Sequence, residues 1–141
     1  MGKLQINLFG RLQVKAADQV IDQFRSESVR ALLFYLALAP AGSQQRLTLA
    51  TFFWPETTEK RARSSLRQSL LRLRQALDSV DPSLSSNLLA ANRKTVTLNN
   101  NLVWCDAVEF RRLITAVTEH PHHDLYTCTT CWERLQQAAK L

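Results

Sequence analysis

An α+β fold is predicted by three observations along the chain. Residues 3–9, KLQINLF, alternate apolar and polar side chains, as a half-buried strand does. Residues 58–77, TEKRARSSLRQSLLRLRQAL, repeat their apolar positions at the helical period. Residues 88–98 place two short apolar runs on either side of Asn92-Arg93-Lys94, the pattern of a tight hairpin. Strands at the start, helices in the middle and a hairpin behind them give segregated α and β layers.

Composition bounds the class. A chain of 141 residues, 45% of them hydrophobic, suits one compact domain with a short appendage. There is no apolar run of membrane-spanning length, and no basic start followed by an apolar block, so membrane insertion and secretion are not expected. The three cysteines, Cys105, Cys128 and Cys131, do not form a disulfide framework, and a reducing cytoplasm is the expected location. With glycine only at 2, 10 and 42 there is no phosphate-cradling loop, and no catalytic triad or paired carboxylates mark a pocket. Neither catalysis nor a cofactor is expected.

In the first strand Leu4, Ile6 and Leu8 share one face, and Lys3, Gln5 and Asn7 the other. Gly10 ends it; Leu12 with Val14, then Val20 with Ile21 after Ala17-Asp18, complete three short antiparallel strands. From Ser26 to Ala39 the period becomes helical, with Ser26 as N-cap, an inner stripe of Val29, Leu32, Leu33 and Leu36, and Pro40 and Gly42 as terminators. Leu47–Trp54 is a second, shorter apolar helix stopped by Pro55. The turn PETT then leads into the third helix, capped by Thr57 or Thr58. Two helices joined by a short turn, the second of them basic, meet the requirement of a helix-turn-helix.

That third helix carries the functional signal. Ala62, Leu66, Ser69, Leu70, Leu73 and Leu77 face the protein. Lys60, Arg61, Ser64, Arg67, Gln68, Leu71 and Gln75 face outward, with Arg63, Arg72 and Arg74 on the flanks. Six cations and no acid lie between positions 60 and 74. The chain has 18 Lys+Arg against 12 Asp+Glu, so removing those six leaves 12 against 12. The whole net charge of +6 thus sits on about four helical turns, a local footprint for a polyanion. Arg grips phosphate or guanine with two parallel bonds, Gln and Ser suit adenine and phosphate, and an outward Leu suits a thymine methyl.

After Leu77, DSVDPSLSSN reads as a loop. The hairpin follows, its tip holding two cations and an amide. Beside a basic helix it reads as a wing, reaching phosphates or a minor groove. Asn99-Asn100-Asn101 is a second turn, and Leu102–Trp104 is expected to return as a strand pairing with the wing. Asp106 is expected to cap a further helix through a capping box with Glu109; Phe110, Leu113, Ile114 and Val117 form its stripe. The chain then changes character. An apolar pattern through Cys128, Cys131, Leu135 and Ala138 has no evident partner at its end, so the chain is expected to be part of a longer protein.

Taken together, FFWPETTEKRARSSLRQSLLRLRQAL (52–77), the VRALLFYLAL helix before it, and the wing and CDAVEF (105–110) after it resemble the N-terminal DNA-binding domain of the Streptomyces antibiotic regulatory protein (SARP) family. The family hallmark is matched by Trp54-Pro55, Ala62-Arg63, Leu66-Arg67 and Leu73-Arg74-Gln75-Ala76-Leu77 over about residues 3–118. The resemblance implies an OmpR/PhoB-like winged helix-turn-helix, with an N-terminal antiparallel sheet, a three-helix core and a C-terminal β-hairpin wing. It implies domains at 1–105 (DNA binding) and 106–141 (the start of a helical bacterial transcriptional activator domain). It further implies that Arg63, Arg67, Arg72 and Arg74 belong to the recognition helix, that Trp54 is core, and that RNA polymerase is recruited. Phe52-Phe53 and Leu71 depart from the family pattern.

The expected function is sequence-specific binding of double-stranded DNA as a transcriptional regulator. Lys60, Arg61, Arg72, Asn92, Arg93 and Lys94 would hold the backbone, while Arg63, Ser64, Arg67, Gln68 and Leu71 meet base edges, with Arg74 on the same helix. One winged domain binds weakly, so direct repeats, or a homodimer, are the expected arrangement. Two alternatives come from other classes. One is a protein- or RNA-interaction module using the basic helix, although an RNA-binding sheet would interleave aromatics with its cations, and here the aromatics are expected inside. The other is a zinc site, for which His120, His122, His123, Cys128 and Cys131 supply the donors.

Overall fold

Two small sheets flank a set of helices in the computed structural model, which describes residues 4–121 and 125–141. Lys3, His122 and His123 lie outside the described residues. The first sheet has the order β3-β2-β1-β7, and the second β4-β6-β5.

Strands β1 (Leu4–Asn7) and β2 (Gln13–Ala16) pair antiparallel with Ile6 opposite Val14, both buried. Alternation drives this pairing, because only one register puts Leu4, Ile6, Val14 and Ala16 into the core together. β2 turns directly into β3 (Gln19–Val20), and Ala17 and Asp18 both have positive φ, at 50° and 63°. Two successive left-handed residues make the turn whose twist matches a two-residue hairpin.

Helix α1 (Glu27–Leu38) buries Val29, Leu32, Leu33 and Leu36. Ser26 is the N-cap residue but its side chain makes no capping bond; its hydroxyl meets that of Ser28 at 3.0 Å. Helix α2 (Arg46–Phe53) buries Leu49 and Ala50, and Trp54 closes it by donating its N–H to the Ala50 carbonyl at 2.9 Å. Trp54 is half-buried against the core. Helix α3 (Glu59–Asp78) is capped by Thr58, whose hydroxyl accepts from the Arg61 N–H at 3.3 Å. Its whole apolar stripe, Ala62, Leu66, Ser69, Leu70, Leu73 and Leu77, is buried as the period requires, and Ala76 joins it. Each leucine so buried contributes roughly 2 kcal/mol, which is what fixes the helix on the body of the protein.

The segment after α3 differs from the loop expected there. Leu84–Leu88 forms a short helix, α4, with Leu84 and Leu88 one turn apart in the core. The Asp78 carboxylate accepts from the Ser85 N–H at 2.9 Å and from its hydroxyl at 2.8 Å. Serine and aspartate in the sequence signal a turn; here they hold a helix because a tertiary acceptor satisfies its first amides.

Strands β5 (Leu89–Ala91) and β6 (Thr95–Leu98) form the antiparallel hairpin, closed by Asn92, whose side-chain oxygen accepts from the N–H groups of Lys94 and Thr95. The other edge of β6 is covered by β4 (Ser43–Gln45), with Ser43 opposite Thr97 and their hydroxyls 2.8 Å apart. The polar SQQ of β4 shows no alternation of its own. The return strand β7 (Val103–Cys105), reached through a 3₁₀ turn at Asn100–Leu102, does not pair with the hairpin as expected. It joins β1 in parallel, Ile6 opposite Cys105. Both edges of β6 are already occupied, by β4 and β5, so the return strand cannot pair with the hairpin through β6 and takes the edge of β1 instead.

Helix α5 (Asp106–Glu119) follows directly. The expected capping box does not form. Cys105 is the N-cap residue without a side-chain bond, and Glu109 pairs with Arg112, whose guanidinium holds the Glu109 carboxyl below its ordinary range. Asp106, fully buried, instead accepts from Leu8 N–H at 2.9 Å and Phe9 N–H at 3.0 Å. After a 3₁₀ turn at Leu125–Thr127, helix α6 (Thr129–Ala139) packs back on α5 and buries Cys131 and Ala138. The stripe expected to lack a partner therefore has one.

The aromatic side chains are not all inside. Phe52 is 62% exposed and stacks with Tyr35 and Phe53, while Trp104, Tyr126 and Trp132 also reach the surface. Among the described residues, no helix is long and apolar enough to cross a membrane.

Candidate nucleic-acid interface

Helix α3 has 20 residues, so its exposed face runs roughly 30 Å along the surface. Residues seven apart are almost in line on a helix, so Lys60, Arg67 and Arg74 form one row, Arg61 and Gln68 another, and Ser64 and Leu71 a third. Lys60, Arg61, Arg63, Ser64, Arg67, Gln68 and Leu71 are exposed; Arg72 and Arg74 are half-buried on the flanks.

The structure brings part of this face together with the hairpin. Lys60, Arg63, Ser64 and Arg67 of α3, Arg93 at the hairpin tip and Arg46 at the start of α2 line one open cleft of about 380 Å³, together with Leu66. An adjoining cleft is lined by Arg46, Arg63, Arg93 and Lys94 with Gln45, Leu47 and Thr95. No acidic side chain lines either. Among the described residues, the Glu59 carboxylate pairs with Arg63 at 3.0 Å one turn earlier. The cationic row is therefore partly relieved within the helix itself, which the sequence count from position 60 does not register.

Arg61, Ser64, Gln68 and Arg72 line a separate shallow depression beside Ser28, Trp54, Ser65 and Ser69. Leu71 is exposed and Arg74 half-buried, further along the helix than the α3 residues of the first cleft. Asn92 plays a local role: its carboxamide oxygen is engaged in closing the turn that presents Arg93 and Lys94.

Arg46 is the residue sequence reasoning missed. It lies outside the basic helix, and in sequence it opens the apolar RLTLATFF. The Arg46 N–H donates to the Lys94 carbonyl at 2.8 Å, which fastens α2 to the hairpin tip. Its side-chain Nε is buried and has no hydrogen-bond partner among the described residues. A buried donor left unpaired costs stability, and the rest of the Arg46 side chain lines both clefts. The only sequence signal was a cation at the N-terminal end of a helix, where the macrodipole disfavours it.

At the far end of the chain, three of the five residues named as zinc donors are among the described residues. His120, Cys128 and Cys131 come together, with His120 Nδ1 3.5 Å from Cys128 Sγ and 3.4 Å from Cys131 Sγ. Burial pushes the Cys131 thiol up, Cys128 adds to that shift, and Arg134 opposes it.

No family model matches the chain, and no curated protein matches it. Among solved structures the chain is similar to Mycobacterium tuberculosis EmbR, determined in complex with a low-affinity phosphopeptide. The two share 21% identity with a TM-score of 0.60, over 99% of this chain and 34% of that one. The chain thus spans about a third of the length of that protein. At this identity the likeness concerns architecture: over nearly its whole length, the chain has the α+β winged helix-turn-helix fold found in EmbR.

Proposed function

We propose that this chain binds double-stranded DNA in a sequence-specific manner and acts in transcriptional regulation, most simply as an activator. The observation that carries this reading is the cleft where cations from α2, α3 and the hairpin converge, Glu59 being paired with just one of them, Arg63. Arg46, Arg63 and Arg93 belong to three separate elements, and a surface that is basic only for solubility would not gather them. The fold shared with EmbR and the Trp54-Pro55, Ala62-Arg63 and Leu66-Arg67 pattern of the SARP family support the same reading.

In this proposal α3 lies in the major groove and the hairpin acts as a wing on the backbone or the adjacent minor groove. Lys60, Arg61, Arg72, Arg93, Lys94 and Arg46 neutralise phosphates; Arg63, Ser64, Arg67, Gln68 and Leu71 meet base edges, with Arg74 further along the same row. Residues 1–105 form the DNA-binding part, and 106–141 open a helical activator region. Direct repeats bound side by side, a homodimer, contact with RNA polymerase and a cytoplasmic location complete the reading. Fluorescence anisotropy tests it, with a random duplex and a single strand of equal length across about 50–200 mM salt. Duplex preference with a steep salt slope is expected. No duplex binding at the lowest salt would assign the basic face to a protein partner.

A further inference from the structure

We infer that His120, Cys128 and Cys131 form a zinc-binding site that joins the end of α5 to the start of α6. His120 is the C-cap residue of α5, Cys128 the N-cap residue of α6, and Cys131 lies in the first turn of α6. The three donors therefore come from the end of one helix and the start of the next. A tetrahedral zinc with Zn–N about 2.1 Å and Zn–S about 2.3 Å sets its nitrogen and sulfur ligands roughly 3.6 Å apart, and two sulfurs about 3.8 Å apart. The observed nitrogen–sulfur separations are 3.5 and 3.4 Å, and all three donor atoms lie within 4.8 Å of one another. An ion can thus be placed among them with little rearrangement.

The donor set selects the metal. Two thiolates and an imidazole suit zinc in preference to the oxygen-seeking magnesium or calcium. Binding replaces the two thiol protons, which pass to solvent, by two sulfur–zinc bonds; imidazole gives its Nδ1 lone pair. The fourth tetrahedral position is completed by water or by another donor of the chain. Cys131 is fully buried, and His120 and Cys128 are half-buried, as befits a structural clip that one side of the turn leaves accessible. In the metal-free chain the two nitrogen–sulfur contacts serve as hydrogen bonds, and an ion held by the same three atoms takes their place.

The test is a titration of the reduced, metal-free 141-residue chain with zinc against a chromophoric chelator, and a parallel one with cobalt. One zinc per chain is expected, with thiolate-to-cobalt charge-transfer absorption and tetrahedral d–d bands. Cys128→Ser and His120→Gln should each weaken zinc binding by about 100-fold or more, and Cys105→Ser should leave it unchanged. Zinc should raise the melting temperature of the wild-type and Cys105→Ser proteins, and should protect Cys128 and Cys131 from oxidation to a disulfide. If a variant fails to fold by circular dichroism, the wild-type titration and the cobalt spectrum decide. No uptake, a cobalt spectrum lacking thiolate bands, unchanged affinity in folded variants, or a Cys128–Cys131 disulfide forming equally fast with zinc present would overturn the site.

Discussion

The backbone N–H of Arg46 donates to the carbonyl oxygen of Lys94 at 2.8 Å, across 48 residues of sequence. The bond continues the β4–β6 ladder, in which Gln45 lies opposite Thr95, and brings the start of α2 beside the hairpin tip where the cationic clefts lie. Because it is a backbone bond, the side chains of both residues remain available to a ligand. An interface built this way carries its geometry in the main chain and its charge in the side chains.

Arg46→Met should separate charge from stability. Replacing the guanidinium removes a buried donor that has no partner among the described residues, so the melting temperature should be unchanged or higher, while duplex affinity falls and the salt slope shrinks by about one phosphate contact. A loss of stability with unchanged DNA binding would show that Arg46 serves the fold only.

Arg67→Ala and Arg93→Ala should differ in kind. Arg67 lies mid-helix, where we propose that base edges are met, so its removal should cost about 1–3 kcal/mol more on the specific site than on random DNA. Arg93, at the hairpin tip, should lose affinity equally on both, with a salt slope lower by about 1. Anisotropy at fixed salt on an operator and a scrambled duplex distinguishes them; equal losses for Arg67→Ala would make it a phosphate contact.

Glu59→Gln should tighten duplex binding. The Glu59 carboxylate holds Arg63 at 3.0 Å with both side chains largely in solvent, so the pair contributes under about 1 kcal/mol to stability. Releasing it frees a cation beside the cleft. Higher affinity at low salt is expected, with the gain fading as salt rises; weaker binding would mean that Glu59 positions Arg63 rather than competing for it.

Asp106→Ala should destabilise the fold by about 2–4 kcal/mol, since it leaves the amides of Leu8 and Phe9 without their acceptor. Urea unfolding measures it. A change under about 0.5 kcal/mol would show that water replaces the carboxylate, and would remove Asp106 as the fastener between β1 and α5.

How far the sequence reached can be read element by element. The stripe of α3 was legible except for Ala76, because Ala62, Leu66, Leu70 and Leu73 repeat at a period that only a helix satisfies. The β2–β3 turn and the hairpin around Asn92 were legible for the same reason, since both depend on near neighbours. Helix α4 was not. Its five residues carry turn chemistry, and Asp78, outside the segment, satisfies Ser85. β4 was missed because three polar residues have no period, and their partner, β6, lies 50 residues on.

The amino-acid sequence by itself determined the local order of strands and helices and the placement of the net charge on α3, because both follow from short-range periodicity and composition. Tertiary structure alone decided three things: β7 joins β1 instead of the hairpin, Arg46 enters the cleft of α3, and His120 faces Cys128 and Cys131. Each depends on which sheet edge or helix end is left open once the core has packed. That is a competition among distant partners, and it leaves no period in the chain.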